Sequence, residues 1–208
     1  GASRSPKKVG HNALKNAMQS VKKVYAVNPN ADRVLGKKCY KSILDIKDHI
    51  DLAIIAVKSD LVPKLLQECA YKNVKAAIVM ASGFSESGDV EKERELVKIA
   101  RHNNMKILGP NCIGYLRTYQ NFNMSFFGKM PEEGGITLIS QSGAIGTAIL
   151  DWAIENHIGL ANFISIGNQA DLTFPELIEY FEKDEKTDAI CLYVEAFKDG
   201  REFMRIAK

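Results

Sequence analysis

Hydroxyl and glycine residues at the junction of a predicted strand and a predicted helix could hold an anion. The apolar residues 136–139 run directly into residues 140–146, whose sequence is SQSGAIG and which open a long helical pattern. Serine hydroxyls, a glycine without a side chain and the unpaired amides of a first helical turn together suit a phosphoryl group. Ser142 and Gly143 are therefore candidate catalytic residues, although Ser142 could also act only as the helix N-cap.

An acidic residue ends another apolar segment in the same half of the chain. Glu195 directly follows residues 191–194, whose sequence is CLYV. At the carboxyl edge of a parallel sheet, where ligands of α/β proteins bind, this carboxylate could orient a catalytic group. A strand-end carboxylate that is merely solvated remains the alternative, and we keep Glu195 as a candidate catalytic residue.

The opening loop is a second possible anion site. Residues 1–10, GASRSPKKVG, form a glycine-containing turn that leads into a helical pattern, so backbone amides could approach phosphate oxygens. An ordinary connection between strand and helix would contain similar residues. A sheet that binds NAD usually has an acid at the end of its second strand, but here Asn28 and Pro29 occupy that place. The sequence thus disfavours NAD and leaves another phosphate-bearing ligand open.

Two further turns follow predicted strands and could line a ligand groove. Val57 and Lys58 end one strand, and Ser82 and Phe84 follow the next. In an open α/β sheet these positions meet at the carboxyl edge, although turns that are simply polar would fit equally well.

Cysteine usage argues against metal or disulfide chemistry. The four cysteines are far apart, with no CxxC pair and no histidine at metal-ligand spacing, so reduced thiols and a cytoplasmic location are expected. Cys112 lies in the turn 109–114 beside Asn111, where it could face a thiol or thioester. We assign it no catalytic role, because no histidine is placed to activate it and small buried cysteines are common.

Charge and hydropathy exclude several classes of protein. The 208 residues include 28 Lys and Arg against 25 Asp and Glu, a net charge of +3. This charge is too small to indicate a nucleic acid or membrane partner. No apolar run approaches the roughly 18 residues of a transmembrane helix.

Strands and helices alternate along the chain, which predicts an α/β fold with parallel sheets. An irregular stretch at 115–135 interrupts the alternation, and we place a domain boundary near Pro131, giving domains 1–130 and 131–208.

Because the opening turn has no strand before it and the last helix has no cap, we also expect a strand ahead of Gly1 and a second domain that continues after Lys208. The predicted strands are 24–27, 51–57, 75–81, 106–108, 136–140, 162–166 and 189–194, and the predicted helices are 11–23, 62–69, 89–104, 143–156, 175–183 and a last one from 200.

The motifs, taken in order, resemble one family over essentially the whole chain. The sequence is similar to the CoA-binding domain and the start of the next domain of the NDP-forming acyl-CoA synthetases, which include ADP-forming acetyl-CoA synthetase and are relatives of the succinyl-CoA synthetase alpha subunit. The resemblance implies a Rossmann-like CoA-binding domain followed by a flavodoxin-like domain. The matching stretches are GAS-x-x-P-x-x-x-G at 1–10, VNP at 27–29, SGF at 82–84, LGPNC-x-G at 108–114, SQSGA-x-GTAILDWA at 140–153, GN-x-AD at 167–171, and the final YVE and DGR.

The resemblance implies a reversible reaction in which acyl-CoA, ADP and phosphate give acid, CoA and ATP through an acyl phosphate and a phosphohistidine. It places residues 140–144 at the transferring phosphoryl group and Glu195 beside the phosphohistidine. Two positions depart from the family, since Lys58 replaces the usual proline and Asn30 replaces a frequent lysine. The implied CoA-binding residues are Ser3, Arg4 and Pro6 at the phosphates, Asn28 and Pro29 near the adenosine, Val57, Lys58, Ser82 and Phe84 along the groove, and in addition Gly1 and Asn111.

The family's phosphohistidine is not among the four histidines of this sequence. His11, His49, His102 and His157 lack the small-residue flanks of a mobile phosphohistidine loop. The resemblance therefore implies that the histidine, most of the site for ADP, ATP and Mg²⁺, and an ATP-grasp subunit or domain lie outside this chain, which would be inactive alone and part of an oligomer. Two alternatives stay open: the CoA-sensing part of a protein lysine acetyltransferase, and a CoA-binding protein without catalysis.

Overall fold

The first half of the chain alternates short strands with helices. A computed structural model describes residues 1–207 of the protein. The predicted elements of this half are present, with ends moved by a few residues, and two further strands appear. The elements are α1 (Val9–Ser20), β1 (Ala26–Val27), β2 (Arg33–Val34), β3 (Lys37–Tyr40), β4 (Leu52–Ile55), α2 (Val62–Tyr71), β5 (Ala76–Val79), α3 (Val90–His102) and β6 (Lys106–Leu108).

Two three-stranded sheets form in this half. The strands of one have the order β4-β5-β6 and are all parallel, as the continuous apolar runs predicted for strands covered on both faces. The other has the order β1-β3-β2, with β1 parallel and β2 antiparallel to β3. Strands β2 and β3 were not predicted from the sequence; they are only two and four residues long and carry three basic residues.

The second half builds one five-stranded sheet. Its order is β11-β9-β10-β7-β8, and β9 is parallel to both β10 and β11. This parallel core and its helices agree with the predicted alternation. The elements are β7 (Gly114–Arg117), β8 (Phe122–Ser125), β9 (Glu133–Ser140), α4 (Gly143–Glu155), β10 (Leu160–Ser165), α5 (Phe174–Phe181), β11 (Ala189–Tyr193) and α6 (Gly200–Ile206).

The expectation of irregular structure at 115–135 was wrong for its first part. Strands β7 and β8 form an antiparallel pair there, and β7 continues the sheet by pairing antiparallel with β10. The partner that ties β7 to the sheet, β10, lies about fifty residues downstream, and local sequence cannot reveal that pairing. Both strands precede the predicted boundary near Pro131 yet join the sheet of the second half, and the division at 130 stays a prediction.

Strand β8 also joins the two halves through buried contacts. The side-chain amide of Asn16 in α1, only 5% exposed, donates hydrogen bonds to the carbonyl oxygens of Ser125 at 2.9 Å and Phe127 at 2.8 Å. Because a buried amide without partners would cost free energy, these bonds fix α1 against β8. Within residues 1–207 no helix is both long and apolar enough to cross a membrane.

Candidate functional site

The predicted anion cradle lies where β9 meets α4. Ser140 pairs with Tyr193 of the parallel strand β11, so the ends of both strands reach the same sheet edge. Ser140 is fully buried, and its hydroxyl donates to the carbonyl oxygen of Ser142 at 2.7 Å. This bond fixes the turn 140–142 from its buried side and leaves Ser142 at the surface, at the amino end of α4.

The first amides of α4 are open to a ligand. The Ser142 hydroxyl accepts a hydrogen bond from the amide of Ile145 at 3.4 Å, so Ser142 is the N-cap of this helix. In the described part of the chain, the amides of Ser142, Gly143 and Ala144 donate no hydrogen bond to another protein group. A Cβ on Gly143 would lie 3.3 Å from Ile113, so glycine keeps this approach uncrowded. The N-cap and anion-binding interpretations of Ser142 are therefore compatible.

Glu195 is held at the same edge by Gln141, a residue that was not predicted from the sequence to have a role of its own. The Gln141 side-chain oxygen accepts hydrogen bonds from the amides of Glu195 at 2.9 Å and Ala196 at 3.0 Å. The backbone amide of Gln141 in turn donates to the carbonyl oxygen of Tyr193 at 3.0 Å. These bonds hold the loop after β11 beside the cradle, with Glu195 exposed to solvent. Its orienting role remains a prediction.

The opening loop lies across the carboxyl ends of β1 and β4. The Ala2 amide donates to the Val27 carbonyl at 3.1 Å. A Cβ on Gly1 would lie 2.3 Å from the carbonyl oxygen of Ala56 and 2.6 Å from Val57, so only glycine permits this approach. The structure therefore brings together Gly1 and Val57, two of the predicted CoA-binding residues.

Asn28 supports this loop from within the protein. Its side-chain amide donates to the Ala2 carbonyl at 2.6 Å, and its side-chain oxygen accepts from the Asn30 amide at 2.8 Å. Both polar atoms of the side chain are thus engaged in shaping the turn. The predicted contacts of Asn28 and of exposed Pro29 with an adenosine remain untested by these bonds.

The rest of the loop presents charge to solvent. Arg4 and Pro6 are exposed and Ser3 is half-buried. The Ser3 hydroxyl accepts from the Ser5 amide at 3.2 Å, while the Ser3 carbonyl lies 2.9 Å from Nδ1 of His11. These contacts with Ser5 and His11 fix the backbone of the turn. The exposed Arg4 guanidinium can therefore contact an anionic ligand.

The turn after β5 lies beside the end of β4, as predicted, but with one correction. A Cβ on Gly83, whose φ is +102°, would come within 2.7 Å of the Ser59 hydroxyl, so the two turns touch. Ser82 and Lys58 are exposed there. Phe84 was expected to line the groove, but it is 0% exposed and packs in the core beneath the turn. Its large apolar side chain is more stable in the core than on a wet groove wall.

Asn168 connects this turn to the second half of the chain. Its side-chain amide donates to Glu93 at 2.8 Å, to the Ser85 hydroxyl at 3.2 Å and to Glu86, while its side-chain oxygen accepts from Asn111 at 3.3 Å. Its backbone amide donates to the carbonyl of Pro110 at 3.0 Å. Asn168 therefore joins the turn after β5, helix α3 and the turn 109–114. In the sequence, Asn168 stood out only as part of the motif GN-x-AD at 167–171.

The Glu86 carboxylate is stabilised by this arrangement. Burial by itself raises the pKa of Glu86, but hydrogen bonds from Asn168 and from the amides of Gly83 and Phe84 outweigh it, so that the pKa lies below its ordinary value. Glu86 is therefore ionised at neutral pH and holds the backbone of the turn after β5 in place.

Cys112 lies inside the protein. Its side chain is buried, and its Sγ lies 3.4 Å from the carbonyl oxygen of Val79. Burial raises the pKa of the Cys112 thiol to about 12. The thiol is therefore protonated at neutral pH, a state that suits a packing role and not a nucleophile.

The four histidines lie outside the cradle, which gives a prediction about phosphorylation. His157 contacts Glu132 at 2.7 Å, His49 contacts Asp51 at 3.2 Å, and His11 faces the Ser3 carbonyl. We expect no acid-labile phosphoryl label on this chain after incubation with radiolabelled ATP or acetyl phosphate, because no histidine adjoins the amides of α4. Label that mass spectrometry places on one of the four histidines, and that disappears when that histidine is changed to asparagine, would contradict this expectation.

Together the fold and the site define a class of protein. Glycine-containing turns and an open helix end lie at the carboxyl ends of parallel strands, the place where α/β proteins bind phosphate-bearing ligands. Residues 1–118 match the family model described as a CoA binding domain, and residues 133–208 match the succinyl-CoA ligase like flavodoxin domain. The chain therefore belongs to the family of CoA-binding domains and continues into a succinyl-CoA ligase-like domain, which confirms the predicted fold class.

Relatives that the whole chain matches are named as ADP-forming acetate–CoA ligases. The chain is 46% identical over its whole length to an ADP-forming acetate–CoA ligase of Methanocaldococcus jannaschii, of which it covers 29%. It is 44% identical to subunit alpha of the ADP-forming acetate–CoA ligase II of Pyrococcus furiosus, of which it covers 46%. It corresponds to the N-terminal alpha part of these proteins, which confirms the family resemblance.

A solved structure agrees with the same relationship. A dinucleotide-forming acetyl-coenzyme A synthetase of Candidatus Korarchaeum cryptofilum, in complex with phosphate and ADP, superposes with a TM-score of 0.94 at 40% identity. The match covers 100% of this chain and 46% of that protein. The chain thus spans less than half the length of these relatives. The comparisons give no support to the acetyltransferase alternative.

Proposed function

We propose that this chain is the CoA-binding and phosphoryl-holding part of an ADP-forming acyl-CoA synthetase, with acetate as the acid. The observation that carries the proposal is the open amino end of α4 beside Glu195, at the sheet edge that Gln141 shapes. The names of the relatives that cover the whole chain support the same reaction. The complete enzyme would work in the cytoplasm.

The opening loop and the two turns beside it suit CoA chemically. CoA carries a diphosphate and a 3′-phosphate, and Arg4 and Lys58 are exposed cations on neighbouring segments. The close approach of Gly1 to Ala56 and of Gly83 to Ser59 brings these segments together without side chains between them. In the proposal, Arg4, Ser3 and Pro6 meet the phosphates, while Val57, Lys58 and Ser82 border the rest of the molecule, with Asn111 at its far end.

The amino end of α4 suits the other part of the reaction. In the direction of ATP synthesis, phosphate attacks the acyl carbon of acyl-CoA, the thioester bond breaks, and acyl phosphate and CoA thiol result. A histidine outside this chain then takes the phosphoryl group, releasing the acid, and passes it to ADP. The amides of Ser142, Gly143 and Ala144 would hold the phosphoryl oxygens, because positioned backbone donors stabilise such negative charge. Glu195 would orient the histidine.

The remaining machinery of this reaction is proposed to come from other parts of the enzyme. An ATP-grasp subunit or domain would bind most of ADP, ATP and Mg²⁺. The alpha subunit naming of a relative that this chain matches supports such a division of labour within an oligomer. The small net charge of +3 gives no reason to propose nucleic acid or membrane partners.

Titration with two nucleotide-bearing ligands tests the binding proposal. We expect calorimetry to give CoA an affinity at least about tenfold higher than that of NAD, because Asn28 offers no carboxylate to a ribose and both its polar atoms already serve the loop. NAD that binds more tightly than CoA would contradict the proposal.

A matched pair of variants locates the binding site. Arg4→Gln should weaken CoA binding about fivefold, as for the loss of an exposed charge contact. Lys186→Gln removes the same charge from an exposed residue just before β11, at the amino end of an edge strand in the other, five-stranded sheet, and should leave the affinity unchanged. Equal weakening by both variants would point to a general effect of charge.

A further inference from the structure

Ala196, the residue after Glu195, has both of its backbone polar groups bonded to glutamine side chains. Its amide donates to the side-chain oxygen of Gln141 at 3.0 Å, and its carbonyl oxygen accepts from the side-chain amide of Gln169 at 3.1 Å. Gln141 follows β9, Gln169 follows β10 and Ala196 follows β11. Because β9 lies between β10 and β11 in the sheet, the turn after β10 reaches across the end of β9 to make its bond.

The backbone on both sides of Gln169 is anchored. The Asn168 amide donates to the Pro110 carbonyl at 3.0 Å, and the Ala170 amide donates to the Gly109 carbonyl at 3.1 Å. Gln169 itself has a left-handed backbone conformation, with a φ of +53°, which is uncommon for a residue other than glycine. It is only 2% exposed. Its side-chain amide is therefore directed at the loop after β11 and not at solvent.

The residue before Gln169 binds the other proposed site. The Asn168 side chain donates at 2.8 Å to Glu93, a 5% exposed residue in the network that holds the turn after β5. The Glu93 carboxylate also lies 3.6 Å from Nζ of Lys198, in the loop that carries Glu195. Two consecutive side chains therefore connect the turn beside the proposed CoA groove with the loop of Glu195.

We propose, building on the role of Glu195 in the proposed function, that Gln169 is a positioning residue that fixes the loop after β11 so that Glu195 faces the cradle. Gln169 restrains Ala196 from the side of β10, and Gln141 restrains it from the side of β9. The loop cannot move along the sheet edge without breaking one of these bonds. Because Asn168 and Gln169 belong to one anchored turn, they also set the position of Glu195 relative to the CoA groove.

Hydrogen exchange in the chain tests the restraint on the loop independently of activity. Gln169→Met keeps a side chain of similar length but removes the donor to Ala196. We expect the amides of Glu195 and Ala196 to exchange at least about fivefold faster in this variant, because the loop loses a hydrogen bond. Gln67→Met makes the same change at an exposed position of α2 and should leave both amides unchanged. Unchanged exchange in Gln169→Met, or an equal acceleration along β5 through general unfolding, would overturn the proposal.

Kinetics of the complete enzyme test what the restraint does for the reaction. We expect Gln169→Met to lower kcat for ATP formation about fivefold and to leave KM for acetyl-CoA within about twofold, since the residues of the groove stay in place. In a Glu195→Gln background, Gln169→Met should lower kcat no further, because Gln169 acts through Glu195. An equal loss in both backgrounds would show a general effect on the fold and overturn the proposal.

The Glu195→Gln variant by itself separates this inference from the proposed function. Unchanged kcat in that variant would reject the catalytic role of Glu195. The exchange rates of the amides at residues 195 and 196 would still decide whether Gln169 fixes the loop.

Discussion

Replacement of Ser142 with glutamate is expected to lower phosphoryl transfer at least a hundredfold in the complete enzyme. The new carboxylate would stand at the amino end of α4 and occupy the amides that the proposal assigns to the phosphoryl group. It would also repel that group, and loss of one positioned donor for a developing negative charge already costs about 10²–10³ in rate. The measurement is the initial rate of ATP formation from acetyl-CoA, ADP and phosphate.

The matched control for this variant is Ser142→Gln. Glutamine has nearly the same volume as glutamate and loses the same N-cap bond to Ile145, which is worth about 1 kcal/mol. Both variants should therefore melt at similarly lowered temperatures, while Ser142→Gln keeps a rate at least ten times that of Ser142→Glu. Equal rates for the two would mean that charge at the helix end does not matter, and the cradle would be rejected.

Asn168→Asp is expected to destabilise the chain by about 3 kcal/mol and to weaken CoA binding about tenfold. The substitution removes the amide that donates to Glu86 and Glu93 and adds a third carboxylate beside them. Hydrogen bonds to charged groups contribute about 1.5–3 kcal/mol each, so loss of the pair is severe. Because Glu86 holds the amides of Gly83 and Phe84, the turn next to the proposed CoA groove would shift. Thermal melting and calorimetric titration with CoA measure the two effects.

Two further variants separate this network from a general effect of charge. Asn121→Asp adds the same charge at an exposed turn and should leave both quantities unchanged. Glu86→Gln combined with Asn168→Asp reverses the amide and the carboxylate of one pair and should restore part of the stability and the affinity. A double variant as impaired as Asn168→Asp alone would show that the pair with Glu86 does not position the turn.

Much of the architecture follows from local properties of the sequence. The apolar runs that became β4, β5, β9 and β10 and the spacing of apolar residues in α2, α3 and α4 are visible within windows of ten to fifteen residues. The turns at strand ends are visible too, because glycine, serine and asparagine mark them wherever they occur. These local signals were enough to predict a parallel α/β fold and to place Ser142, Gly143 and Glu195 at one edge of a sheet.

Tertiary structure decided which of these residues contact one another and which are buried. Strand β7 joined the sheet because β10, far along the chain, pairs with it, and β8 then paired with β7. Phe84 became buried because the core beneath its turn could receive it. Local sequence likewise could not show that Gln141 binds the loop at Glu195 or that Asn168 joins three segments. Hydrogen bonds of this kind depend on distances between residues tens of positions apart, and those distances exist only after the sheets have packed.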